Sequence, residues 1–220
     1  MSHLQLRAAD GHTLSAYLAK PTGRAHGAVV VVQEIFGVTG HIERVADQFA
    51  AEGYLAIAPA LFDRQQRGVN LAYDDAGIAT GVGYMQKADF GLVCTDVQAA
   101  IDAVIHAGAV GMVGYCWGGL VTWLAGSRTT IAAGVSYYGG GITRFLDPVP
   151  RCPMQFHFGE RDSHIPLSDV AQIRAAFPQG EYHTYAAGHG FNCTDRASHD
   201  AAAAHLAFAR TREFFGKHLR

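Results

Sequence analysis

The run Val29-Val-Val-Val32 constrains the fold of this chain more than any other stretch. Four successive β-branched residues lose side-chain freedom in a helix, and a half-buried strand would turn two of them to water. They fit a strand buried on both faces, the pattern of a parallel sheet covered by helices. Such a sheet needs much apolar material. The 220 residues are 49% hydrophobic and only 16% charged, which suits one globular domain over residues 1–220.

The rest of the chain fits that requirement. "HLQLRA" and "HTLSAYLAK" alternate as strands do and flank Asp10-Gly11, a hairpin signal. "HIERVADQFAAEGY" has a helical period, with Ile42, Val45, Ala46, Phe49 and Ala50 on one face and Gly53 at its end. The strand "YLAIAPA" follows, then a polar, irregular excursion over residues 63–88 that carries one short helix. "DFGLVCTDVQAAIDAVIHAG" is a helix, with Val93, Val97, Ile101, Val104 and Ile105 on its apolar stripe. After it strands ("AVGMVG", "IAAGVSYYGG", "CPMQFHFG", "EYHTYAA") alternate with helices ("GGLVTWLAG", "PLSDVAQIRAAF", and the tail from Asp200). This alternation predicts an α/β fold, a mostly parallel central sheet flanked by helices on both faces.

Charge and cysteine usage narrow the function. A net charge of −2 without a basic run argues against nucleic acid or a membrane surface as partner. The sequence reads as having no apolar stretch of bilayer length and no signal peptide, so the expected location is the cytoplasm. Cysteines 94, 116, 152 and 193 form no C-x-x-C pair, and the twelve histidines form no H-E-x-x-H or short cluster. No metal and no cofactor is expected. Nothing in the sequence requires a second copy, so the expectation is a monomer.

In a parallel sheet the working loops lie beyond the carboxyl ends of the strands. After Val110–Val113 comes Gly114-Tyr-Cys-Trp-Gly118, a G-x-C-x-G turn between strand and helix. It has the form of the G-x-S-x-G nucleophile elbow of α/β-hydrolases, with Cys116 as the nucleophile. The alternative is a small buried side chain, since free cysteine is often buried. The flanking strand and helix favour the elbow, and a helix N-terminus would favour thiolate.

After "CPMQFHF" comes Gly159-Glu-Arg-Asp-Ser-His-Ile-Pro166, where Asp162 is the candidate orienting acid ahead of Glu160 and Asp169. After "EYHTYAA" comes Gly188-His-Gly-Phe191, where His189 is the candidate base and His164 its rival. His157 and His183 lie on strands and read as packing or surface residues. The order Cys116, Asp162, His189 is the nucleophile–acid–base order of α/β-hydrolases. The first buried strand ends in Gln33-Glu-Ile-Phe-Gly37. Ile35 N–H and Trp117 N–H are the candidate oxyanion donors. Glu34 either faces water at a strand end or points at Cys116, where carboxylate and thiolate would repel. Phe36, Trp117, Tyr84 and Phe191 are candidate pocket walls.

Together "QEIFG", "GYCWGG", "GERD" and "GHGF" resemble the dienelactone hydrolase (carboxymethylenebutenolidase) family over nearly the whole chain. The resemblance implies an α/β-hydrolase fold and a Cys116–His189–Asp162 triad. It also implies a Glu34 that holds the resting thiol and helps to generate the thiolate when substrate binds. The implied activity is cofactor-free hydrolysis of a small ester or lactone through an acyl-thioester. A thioesterase or acyl transferase with the same triad, a ligand-binding protein with little turnover, and a redox-sensing thiol are the alternatives. The family's founding members hold the substrate carboxylate with two arginines. This chain has no arginine between Arg67 and Arg128, and Cys193 falls near the second position. Arg64, Arg67 and Arg196 are the available candidates.

Overall fold

A computed structural model of the chain describes residues 2–219. It contains one eight-stranded sheet in the order β1-β2-β4-β3-β5-β6-β7-β8. β1 (Ser2–Arg7) and β2 (Thr13–Ala19) form the antiparallel hairpin expected around Asp10-Gly11, with Arg7 opposite Thr13. Gly11 takes the left-handed φ of +87° that such a turn needs, and Asp10 Oδ1 accepts from the His12 amide at 3.1 Å. β2 runs antiparallel to β4 (Leu55–Pro59). From β4 through β3 (Ala28–Val32), β5 (Val110–Tyr115), β6 (Ala133–Tyr137), β7 (Met154–Gly159) and β8 (Glu181–Tyr185) every pairing is parallel.

The valine run behaves as its composition demands. All five residues of β3 are buried, and they divide between two cores. Val29 and Val31 pack with Ile42, Val45 and Phe49 of α1 (Gly40–Ala51) and with Phe214 and Phe215 of α6 (Ala201–His218). Ala28, Val30 and Val32 pack with Val93, Val97, Ile101 and Val104 of α3 (Phe90–Val104). Burying one Val or Ile side chain contributes about 1.5–3 kcal/mol, so the two faces together dominate the fold's stability.

Two expectations need correction. The excursion carries more than a short helix: α2 (Asp75–Lys87) spans 13 residues. Its weak apolar periodicity concealed it. A capping bond donated by the Gly77 amide to Asp74 Oδ1 at 2.7 Å and packing against Ile35 hold it in place. The segment Phe90–Ala107, with mean hydropathy 1.3, is also long and apolar enough to span a bilayer. Here its apolar stripe is the contact with β3, which is why length alone misleads for a core helix.

Candidate active site

The carboxyl ends of β3, β5, β7 and β8 bring the expected residues together. Cys116 follows β5 and caps α4 (Trp117–Arg128) with φ +55° and ψ −116°. A non-glycine residue in that region stores about 1–3 kcal/mol of strain unless its surroundings enforce it. Here they do. The Cys116 amide donates to Tyr137 O at 3.0 Å, and its carbonyl accepts from the Gly119 amide at 2.9 Å. A Cβ on Gly118 would lie 2.6 Å from both Val32 O and Gln33 O, and one on Gly114 would collide with Gly118 O. The elbow glycines are therefore required by close backbone approach. As the first residue of α4, Trp117 leaves its N–H free of an intrahelical partner.

Asp162 and His189 meet as their positions after successive strands predicted. His189 Nδ1 and Asp162 Oδ2 are 2.7 Å apart. The other carboxylate oxygen accepts from the amides of His164 and Ile165 at 2.8 and 3.2 Å. The Asp162 side chain is fully buried, so these bonds fix its orientation. Burial disfavours the charged form of His189. The charge of Cys116, hydrogen bonds to Asp162 and Cys116, and the charge of Asp162 outweigh it and raise the imidazole to about 10. Glu160 is exposed and Asp169 half-buried, and the carboxylate that bonds His189 is that of Asp162. His164 lies edge-on to His189 at 5.1 Å and contributes its backbone to Asp162.

Glu34 faces inward. Its side chain is 1% exposed and accepts from Arg196 Nη1 at 3.3 Å through Oε1, while Oε2 has no hydrogen-bond partner. Burial raises its carboxyl, opposed by the charges of Arg196 and His189 and by the hydrogen bond from Arg196. The direct partner of the carboxylate is thus Arg196. Arg196 is itself raised, because the charges of Glu34 and Cys116 overcome its desolvation. Its guanidinium sits 5.7 Å above the Phe36 ring, and that ring lies 4.4 Å from Tyr73.

The other candidate arginines are engaged elsewhere. Arg64 forms a two-bond pair with buried Asp96, at 2.7 and 2.8 Å, and a third bond to Asp10. Arg67 donates to Thr13. Arg64 ties the excursion to the hairpin and α3, and Arg67 ties it to the hairpin.

The pocket expectations divide. Phe36 is buried beside Arg196 and Tyr73. Tyr84 is half-buried against Phe62, which stacks on Trp117 at 4.8 Å. Phe36, Trp117 and Phe191 offer no open wall. Trp117 is 2% exposed within the α3 core, and Phe191 is fully buried against Tyr137, Tyr138 and Tyr185. Large apolar rings beside a packed core gain more from burial there than from lining a cleft. Tyr138, Tyr73 and Cys193 were not identified from sequence as parts of this cluster. Tyr138 directly follows β6, so the strand-end rule reaches it; Tyr73 and Cys193 carry no local signal.

A cleft of about 480 Å³, with Leu4, Leu55 and Val104 among its walls, lies toward the amino ends of the strands. It is remote from these residues. Among the described residues no group of three or more His, Cys, Asp or Glu could hold a metal ion.

Comparison with known proteins agrees with this architecture. The family model described as "Dienelactone hydrolase family" matches residues 14–219. A putative carboxymethylenebutenolidase from Synechocystis is 32% identical, covering 94% of this chain and 93% of the relative. The carboxymethylenebutenolidase of Pseudomonas putida is also 32% identical, over 96% and 94%. The crystal structure of a putative dienelactone hydrolase from Klebsiella pneumoniae superposes with a TM-score of 0.84 at 27% identity, covering 99% of this chain and 100% of that one. Those matches run the length of a sheet whose strand ends carry the four motifs read from the sequence, and the chain belongs to the dienelactone hydrolase family of α/β-hydrolase-fold hydrolases.

Proposed function

We propose that this chain hydrolyses a small ester or lactone by cysteine nucleophilic catalysis. One observation carries the reading: Cys116 stands on a strained elbow, and His189, held by Asp162 at 2.7 Å, lies close enough for the charge of Cys116 to raise its imidazole. Cys116 passes its thiol proton to His189 Nε2, Sγ attacks the substrate carbonyl carbon, and the C=O electron pair moves onto oxygen. The amides of Ile35 and Trp117 receive that oxyanion, each such donor contributing about 2.7–4 kcal/mol to the transition state. The tetrahedral species collapses to a thioester, and the leaving alkoxide takes a proton from His189 Nε2. His189 then removes a proton from water as it attacks the thioester. The acid is released, and His189 returns its proton to the departing sulfur, which regenerates the thiol.

Asp162 stabilises the imidazolium and fixes the tautomer through Nδ1. The route requires a nucleophile, a base and water, and no cofactor enters it. Glu34 lies beside this chemistry as a buried carboxylate paired with Arg196, the one candidate arginine that is not engaged at the hairpin. Arg196 is therefore our candidate for contact with an acidic substrate group.

The test is a burst assay with p-nitrophenyl acetate on wild type and Cys116→Ala, with mass spectrometry of the quenched protein. The reading expects an acyl adduct on Cys116 that is absent from the variant. Equal rates and no adduct would overturn it and favour a binding role.

A further inference from the structure

Tyr138 is the second residue at this edge whose backbone makes no sense as packing alone. Among the described residues only Cys116 and Tyr138 are non-glycine residues with positive φ, +55° and +38°. They occupy equivalent places at the ends of the adjacent strands β5 and β6. Each is held by the same continuation of the parallel ladder. The Cys116 amide donates to Tyr137 O at 3.0 Å, and the Tyr138 amide donates to His157 O at 2.7 Å. The turn after Tyr138 is locked against the turn after Cys116, since a Cβ on Gly119 would lie 2.7 Å from Gly139 Cα. Strain of this kind collects where a side chain must be aimed.

What is aimed is a phenol. The Tyr138 ring meets His189 edge to face at 5.1 Å and Phe191 at 5.2 Å. The residue is fully buried, yet its hydroxyl has no hydrogen-bond partner. An unpaired buried hydroxyl is costly, and a packing role would be filled without that cost by phenylalanine. Burial pushes the phenol well above the usual tyrosine range, and the charges of Glu34, Tyr115, Cys193 and Cys116 push the same way. The group therefore remains a neutral O–H donor throughout the working pH range. The cations that face it are Arg196 and, when protonated, His189.

We propose that Tyr138 is a positioning residue of the nucleophile: its ring sets the plane of His189, and its O–H is the donor held for the negative charge that forms as Cys116 ionises beside Glu34. This rests on Cys116 being the nucleophile. It adds a donor that serves the thiolate and its buried surroundings, separate from the backbone amides that would serve the substrate oxyanion.

The experiment is the pH profile of iodoacetamide alkylation of Cys116 in the full chain, read by peptide mass spectrometry. Tyr138→Phe keeps the ring and removes the donor. Its alkylation rate at pH 7 is expected to fall about tenfold, the size of a hydrogen bond to a charged group, with the profile displaced to higher pH. Site-specific replacement of Tyr138 by 3,5-difluorotyrosine keeps the donor and strengthens it, and the profile is expected to move to lower pH. A purely structural role would move neither. A wild-type profile in either variant overturns the proposal, and the fluorinated protein decides alone if Tyr138→Phe does not fold. Absence of an acyl adduct in wild type would remove the hydrolase reading, whereas alkylation would still report whether the phenol tunes the thiol.

Discussion

Glu34 and Arg196 stand 162 residues apart in the chain and meet as an ion pair of 3.3 Å, with the carboxylate side chain 1% exposed. The pair joins the loop after β3 to the loop that follows His189, so one contact ties two of the segments at the carboxyl edge of the sheet. Because the second carboxylate oxygen is unpartnered, Arg196 supplies the main compensation for that buried charge.

Arg196→Ala is therefore expected to destabilise the protein by about 3 kcal/mol at pH 8, as for removal of one member of a buried pair. The loss depends on pH. A carboxyl whose folded pKa lies above its unfolded value is protonated in both states below that value, 4.5 for Glu34, and costs nothing there. As pH rises past 4.5 the unfolded chain sheds its proton first and stability declines. Denaturation midpoints of wild type and variant should converge near pH 4 and separate by pH 8. A gap unchanged by pH would show that the destabilisation comes from lost packing.

His189 is raised to about 10, with Cys116 the largest favourable cause. Cys116→Ser removes that charge, so the imidazole is expected to titrate well below 10 in the variant, measured by NMR of the ring protons. A histidine raised on folding stabilises fully below its unfolded value of about 6.5, and that stability is lost as pH climbs through 10. Wild type should accordingly lose more stability than Cys116→Ser between pH 7 and pH 10. An unchanged titration in the serine variant would show that Asp162 alone raises the imidazole.

Glycines separate by position. Gly118→Ala drives a methyl to 2.6 Å from two carbonyl oxygens and should cost about 1–3 kcal/mol together with activity. Gly83→Ala, in α2, meets nothing within 4 Å and should stabilise by about 0.5–1 kcal/mol with no change in turnover. Thermal unfolding and ester hydrolysis of the two variants check both signs.

Arg64→Ala leaves the fully buried Asp96 carboxylate without its two-bond partner. We expect a loss of about 3–5 kcal/mol, with kcat/KM of the folded fraction unchanged. A selective rise in KM for acidic esters would instead give Arg64 a substrate role.

The sheet and the places where chemistry sits were legible in the order of residues along the chain. β-branched runs such as Val29–Val32 leave few options but a doubly covered parallel sheet. In such a sheet all carboxyl ends share one edge, so Cys116, Asp162 and His189 could be found by reading the residue after each apolar run. Strand order did not matter to that reading. Tertiary structure decided which loops touch. Arg64 and Arg196 look alike in sequence, yet one is bound to the hairpin and α3 and the other reaches Glu34. Trp117 and Phe191 lie beside the triad in sequence, but their rings turn into the cores. Tyr138 gains its meaning from its φ and from His189 across the edge, neither of which has a period or a motif. Local patterns specify which face of an element is apolar, because that depends on neighbours three or four residues away. Partners brought in by loop paths and sheet order are contacts at long sequence separation, and only the assembled fold brings them together.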